Sequence, residues 1–531
     1  MACPVRRSIL IGFLVLVTGA RVQAESLTTN DLKQIIAQAV SVATNKYPHA
    51  VMAITDREGF VLVVWDVSGG ASDGDVGSAI AKAGTAAFLS SGQHAFSTRT
   101  AGFIILQHYP PLLPLQTNFP AFTPVFTTNQ LSRFPIPRGI RNRPPGPLVG
   151  VQNSNLPHSD VNFFKQIVGS PTLGGTNGLP LPNPGSPFAF SGTPGGVPLY
   201  KNGVLVGGFG VAGANDSFNF LNRTVSEDIA LAGQAGYSPS PAIFGSRVFA
   251  DGIRLPYVRG PNPRINTNLV FFSGTTPGSE VAPFFFHDTP TIAYPTAVLG
   301  GCTGEVRSAI IDDPLGKLSA GEVSNILGQA AARAAFTRAR IRLPRNVPAQ
   351  VFISVVNNPG TNGPAQVLGT FRTRDATIFS WDVSVQKART AVFFSNPANI
   401  PYFALPTNVA MSCRSVGFLS QALYPPGIDG TAPGPFHRFQ ESVSSNTATI
   451  PPNPRLPNGV TIFPGGFPLY NQAGELIGAI GISGDGVDED EIIGASGTVN
   501  YLPPPGTRAD FFLYRGARLP YAKFPRNPDL P

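Results

Sequence analysis

Apolar and polar positions along the chain follow two rhythms, and each rhythm is written twice. From Leu27, "LTTNDLKQIIAQAV" puts Leu32, Ile35, Ile36, Ala39 and Val40 on one helical face behind a Thr28 or Thr29 N-cap. From Leu318, "LSAGEVSNILGQAA" does the same with Val323, Ile326, Leu327 and Ala330, and Ser319 with Glu322 predicts a capping box. Paired strand-like runs follow each helix. They are "AVMAIT" and "FVLVVW" around a turn at Arg57-Glu58-Gly59, then "VFISVV" and "VLGTF" around a longer Pro/Gly/Asn turn. An Ala-rich helical stretch, a Pro-rich insertion and two closing strands come next; "GVPLY" and "VLVGGFGV" meet at Lys201-Asn202-Gly203. Thr224 and Glu227 cap a last helix. Helix, hairpin, helix, insertion, hairpin, helix predicts a small antiparallel sheet flanked by helices, an α+β unit.

The repetition extends to the wording. "AKAGTAAFLSS" at Ala81 parallels "QKARTAVFFSN" at Gln386, and "STRTAGF" at Ser97 parallels "SCRSVGF" at Ser412, each followed by Tyr-Pro-Pro at Tyr109 and Tyr424. "GPLVGVQNS" at Gly146 answers "GPFHRFQES" at Gly434, and "PGGVPLYKNGVLVGGFGVAG" at Pro194 answers "PGGFPLYNQAGELIGAIGISG" at Pro464. "SEDIALAG" at Ser226 then stands against "DEDEIIGASG" at Asp488, and "GIRLPY" at Gly252 against "GARLPY" at Gly516. Blocks kept in one order predict a tandem duplication. Its units are 25–265 and 317–531, joined by a linker at 266–316 and preceded by 1–24.

Residues 1–24 read as a secretory signal: Arg6 and Arg7, an apolar run from Ile9 to Val17, and Val22-Gln23-Ala24 as a cleavage site. A periplasmic or secreted protein is the expectation; "RRSIL" matches a twin-arginine signal only in part. No later stretch is long and apolar enough to predict a membrane span. The net charge of +8 is spread along the chain, which argues against nucleic acid as a partner. Beyond the signal only Cys302 and Cys413 remain, enough for one disulfide in an oxidising compartment and too few for a disulfide scaffold. With 58 Gly and 54 Pro, the chain predicts compact units carrying long loops.

Gly208-x-Gly210-x-x-Gly213 has the bare form of a dinucleotide fingerprint, but it lies in a hairpin strand and lacks the acidic residue of a second parallel strand. Glycine within strands points instead to close approach of another backbone or a flat ligand. Taken together, "KAGTAAF"/"KARTAVF", "PGGVPLY"/"PGGFPLY", "GGFGVAG"/"GAIGISG" and the acidic helix starts resemble the GlcG/HbpS-like haem-binding proteins, related to the C-terminal domain of PduO-type adenosyltransferases. The likeness covers most of 26–237 and 317–500, interrupted by insertions. It implies two profilin/PAS-like units, a tendency to oligomerise and, in some members, non-covalent haem binding for storage, sensing or degradation. Reuse of a dimer interface inside one chain would then give an intramolecular pseudo-dimer.

Haem requires an apolar slot, cations for its carboxylates and usually an axial ligand. The six histidines have no counterparts between the halves, so a shared site cannot rest on them; in the first half alone, His94 or His108 is the candidate iron ligand. Residues present in both halves form the candidate ligand set: Lys82 and Lys387, Arg99 and Arg414, Tyr109 and Tyr424, Gly208 and Gly481, Glu227 and Glu489. Each also has a plain structural reading: a snorkelling lysine, an arginine bound to loop carbonyls, an acid favouring a helix dipole. Arg254 and Arg518 of the R-L-P-Y tails are read as docking an extended segment. No nucleophile elbow, zinc-binding H-E-x-x-H or Ser/His/Asp set recurs, so enzyme chemistry has little sequence support. Two other readings stand beside haem binding: an assembly module without a small ligand, and a small-ligand enzyme such as one degrading haem.

Overall fold

The computed structural model describes residues 25–106, 109, 146–151, 154, 158–163, 171–172, 175–176, 190–213, 223–258, 263–265, 276–339, 347–402, 408–426, 428, 430–443 and 453–523. The predicted signal, His108 and much of the first insertion lie outside them.

Helix α1 (Thr29–Lys46) begins with a capping box between Thr28 and Asp31 and buries the stripe Leu32, Ile35, Ile36, Ala39 and Val40. Strands β1 (Val51–Asp56) and β2 (Val61–Asp66) pair antiparallel, followed by α2 (Asp73–Phe88) and α3 (Thr98–Ile104). The insertion supplies a one-turn α4 (Asp160–Phe163) and a small hairpin, β3 (Pro171–Thr172) with β4 (Gly175–Thr176). Strands β5 (Gly196–Lys201) and β6 (Val204–Ala212) turn through Asn202 and Gly203, at φ of 49° and 79°. Positive φ at both central residues is what a two-residue hairpin turn demands. Helix α5 (Val225–Gly233) and hairpin β7 (Phe249–Ala250)–β8 (Ile253–Arg254) complete this half.

After β9 (Ser279–Glu280), β10 (Thr296–Leu299) and β11 (Cys302–Ser308), the same succession returns. It runs α6 (Ala320–Phe336), β12 (Phe352–Asn357), β13 (Val367–Thr373), α7 (Phe379–Ser395), α8 (Cys413–Leu419) and α9 (His437–Val443). Strands β14 (Gly466–Tyr470) and β15 (Leu476–Ser483), helix α10 (Val487–Gly497) and hairpin β16 (Leu513–Tyr514)–β17 (Ala517–Arg518) close the chain.

The sheet orders are β5-β6-β1-β2-β9 and β10-β11-β13-β12-β15-β14. Read from opposite ends they are one topology with the segment at 266–316 on the same edge of each: β9 pairs with β2, and β11 with β13. The stretch predicted as a linker therefore completes both sheets and covers edges that would otherwise present unpaired N–H and C=O groups. Its Pro/Gly/Thr-rich composition hides strands only two to seven residues long.

Alternation along β1 divides the first half. Met52 and Ile54 join α1 and α5 in one core, while Val51 and Ala53 join α2 in another. That second core runs without interruption into the second half. The halves are also tied by charge: Arg307 donates to both Glu58 oxygens at 2.9 and 3.1 Å, and Arg57 to Asp375 at 3.0 Å. The Arg307 guanidinium lies 3.7 Å from the centre of the Tyr294 ring.

Candidate functional site

Each half brings its lysine, arginine and acids together where the central helix meets the last strand and last helix. Lys82 Nζ donates to the Val211 carbonyl at 2.8 Å, and Lys387 Nζ to the Ile482 carbonyl at 2.6 Å. Gly195 and Gly465 pass beside these ammonium groups at φ of +116° and +119°, where a Cβ would come within 3.2 and 2.7 Å of Nζ. The second half adds a carboxylate: Asp490 lies 2.9 Å from Lys387, with the two residues 2% and 0% exposed. Ser226 holds the matching place beside Gly195. For Lys387, the negative group that answers the ammonium is an internal acid.

The arginines behave alike. Arg99 grips Glu227 with Nε and Nη2, both at 2.6 Å, and both side chains are buried. Arg414 grips Glu491 at 2.6 and 3.0 Å and reaches Asp488 at 2.9 Å. Burial pushes the Glu491 carboxyl above its ordinary range, against the pull of Arg414. Here the sequence register needs correction, because the partner of Arg414 matching Glu227 is Glu491, not Glu489. The run Asp488-Glu489-Asp490-Glu491 admits several alignments, and the reach of Arg414 selects one. From sequence, Glu489-Asp490 read as the acids that begin this helix and Glu491 is passed over, although three-residue spacing from Asp488 matches Thr224 to Glu227.

The remaining candidates have structural partners. Tyr109 donates to the Ala250 carbonyl at 3.2 Å and Tyr424 to the Tyr514 carbonyl at 3.0 Å, so each anchors the small hairpin of its half. The R-L-P-Y tails dock through carbonyls. Ser97 and Thr100 donate to Tyr257 and Pro256 at 3.1 and 2.6 Å, and Ser412 and Ser415 donate to Tyr521 and Pro520, both at 2.5 Å. Arg518 instead bonds the Asp510 carbonyl at 2.6 Å, and Arg254 stacks 5.2 Å from the Phe249 ring centre.

A Cβ on Gly208 would sit 2.0 Å from the Ala83 carbonyl oxygen, and one on Gly481 would sit 2.0 Å from that of Ser384. These glycines seat α2 and α7 on their strands; the match to Gly481 is Gly210, which faces Ala79. His94 is buried with Nε2 at 2.9 Å from the Leu89 carbonyl and Nδ1 at 3.1 Å from Ser91 Oγ. Cys302 and Cys413 are free thiols facing the Ala331 and Lys387 carbonyls, and burial pushes the Cys413 thiol up to about 12.

Between the halves runs a narrow crevice. Phe96, Ile104, Leu148 and Leu255 form one wall, and Phe379 and Phe463 face them beside Ser483, Asp485 and Asp490. The room for the centre of a water molecule is about 10 Å³, space for roughly one water. Lys387 Nζ lies 5.1 Å from the Phe463 ring centre, at the crevice edge. Glu489, next along α10, is buried, and its carboxyl is pushed up to about 7 by burial and by neighbouring Asp485, Asp490 and Asp488.

Comparison with known proteins addresses the second half. Residues 327–498 match the family described as "Haem degrading protein HbpS-like". This HbpS-like stretch runs from within α6 through α10 and contains Lys387, Arg414, Asp490 and Glu491. Similar solved structures include a PduOC:heme complex, at 23% identity over 34% of this chain and 94% of that one, with a TM-score of 0.22. HbpS of Streptomyces reticuli, as a double mutant, is 20% identical over 44% of this chain and 97% of its own, with a TM-score of 0.18. Protein ORFY of Klebsiella pneumoniae is 17% identical over 34% and 89%, with a TM-score of 0.23. No curated protein matches the chain.

The aromatic and aliphatic walls suit a flat apolar ring. The ionic groups are less suitable: Lys387, Arg99 and Arg414 are engaged by internal acids, and the polar side facing the crevice is carboxylate. No histidine lines the crevice among the described residues, which also hold no cluster of three or more His, Cys, Asp or Glu suited to a metal. In this closed arrangement the residues do not fit a haem. Among the described residues no helix is long and apolar enough to cross a membrane.

Proposed function

We propose that this protein binds haem or a similar flat tetrapyrrole without covalent attachment, in a widened form of the crevice between its halves. The observation that carries the reading is the match of residues 327–498 to a haem-degrading family, on the half that supplies Phe379 and Phe463 to the crevice. The apolar walls supply burial for a ring, and Lys387 at the edge would become available to a carboxylate if Asp490 were displaced. On the opposite wall, Gly146 and Leu148 donate backbone hydrogen bonds to the Leu106 and Ile104 carbonyls at 2.7 and 3.1 Å. Storage, sensing or handling of haem fits such a site. Haemin titration of the protein tests this: a saturable Soret shift with one or two sites per chain is expected, and a featureless, non-saturating response sinks it.

A second reading, an assembly module without a small ligand, is favoured by the closed ion pairs and by insertion residues spent on contact between halves. The same titration separates the two. We also read the halves as copies of one unit exported to the periplasm or medium. Common sheet order and matched lysine, arginine and tail contacts support the duplication, and the signal-like residues 1–24 support export. N-terminal sequencing of the exported protein, expected to begin at Glu25, checks the latter.

A further inference from the structure

Helix α7 is buried along its whole length, yet it carries a polar stripe that α2 lacks. Matching Lys387 to Lys82 places Asp382, Gln386 and Arg389 where α2 has Gly77, Ala81 and Gly84. Spacings of four and three put the stripe on one helical face. Its two ends reach the other half, while Gln386 between them donates to the Asn458 carbonyl and accepts from Thr461 of its own half. Arg389 Nη2 donates to Asp160 Oδ1 at 3.0 Å, with Nη1 on the second carboxylate oxygen. Ser154 Oγ donates to Asp382, and Ser159 bonds the same carboxylate. Asn458 links the two ends, accepting from Arg389 at 3.2 Å and donating to Asp382 Oδ1 at 3.1 Å. Ser154, Ser159, Asp160, Asp382, Arg389 and Asn458 are all buried.

A buried bidentate ion pair contributes little net stability over an apolar core, but losing either partner strands a charge. Its value lies in discrimination. A second half set against another second half would bury Arg389 without Asp160 to answer it, and the α2 face of a first half has only glycine and alanine to offer Asp160. We propose that the α7 stripe is a pairing code: it accepts Ser154, Ser159 and Asp160 of a first half, from its own chain or a second copy, and rejects a second half. The code fixes which halves meet, a use of buried charge that works by penalising wrong partners.

Charge reversal in the full-length chain tests this. Asp160→Arg alone and Arg389→Asp alone each place like charges together and should lower the unfolding midpoint by several degrees. The double reversal in one chain should recover most of that loss. Co-expressing the two single variants under different tags should yield a mixed species of twice the chain mass, by light scattering and native mass spectrometry. In that species Arg389 of one copy meets Asp160 of the other, and the reversed pair is also complementary. Co-expression keeps the test readable if neither single variant folds alone. A milder cycle, Asp160→Asn with Arg389→Gln, should likewise be non-additive. Additive effects in both cycles, or no mixed species, overturns the proposal.

Discussion

Lys387 shows how much a single position can be asked to reveal. Its persistence beside Lys82 in the sequence marks a lysine that something negative must answer, and Asp490 at 2.9 Å answers it. Replacing Lys387 with Met keeps the stem volume but takes the ammonium away from the buried Asp490 carboxylate, so unfolding should be easier by about 3–5 kcal/mol. Lys387→Met with Asp490→Asn should recover part of this; equilibrium denaturation of the three variants checks it. Glu489 makes a pH-dependent claim. Its carboxyl is raised from 4.5 to about 7, so its protonated form is the one the fold favours. The stability tied to that proton is complete below the ordinary carboxylate value and is lost as pH rises through about 7. Thermal midpoints from pH 5 to 8 should therefore fall more steeply in the wild type than in Glu489→Gln; parallel curves would remove Glu489 as the cause.

At the scale of elements, the glycine-rich strands are explained by what lies across them. Gly208, Gly210 and Gly481 let a helix backbone settle onto the sheet, with carbonyls where side chains would stand. Gly481→Ala pushes a methyl into the Ser384 carbonyl, 2.0 Å away. Overpacking of this kind costs about 1–3 kcal/mol or more, and a lowered chemical-denaturation midpoint is expected. The helices and hairpins were legible because long apolar stripes, capping boxes and an Asn-Gly turn are local signals. Strands β9 and β11 were not, since each pairs with a strand distant in sequence, and β10 joins the sheet through β11 across the Gly300-Gly301 turn. The acids of α10 fall between these cases: their presence was plain, but only the reach of Arg414 selects Glu491 from four successive acids.

Across the whole molecule, two sheets of one topology share an apolar core, ion pairs from one half to the other and a crevice where their surfaces meet. The core was foreseeable from amphipathic pattern; the crevice was not, because Leu148 and Phe463 stand far apart in sequence and neither carries a chemical signal. The central claim is that a flat tetrapyrrole enters between these walls. Leu148→Trp would crowd the space from the first-half side while changing no ion-pair residue. The deciding measurement is haemin titration of this variant beside the wild type, followed in the Soret region, with unfolding midpoints matched to exclude a general loss of structure. Saturable binding by the wild type, weakened about tenfold or more in the variant, a loss of about 1.4 kcal/mol or more, is the predicted result. Equal affinity in both proteins, or no saturable binding by the wild type, would contradict it.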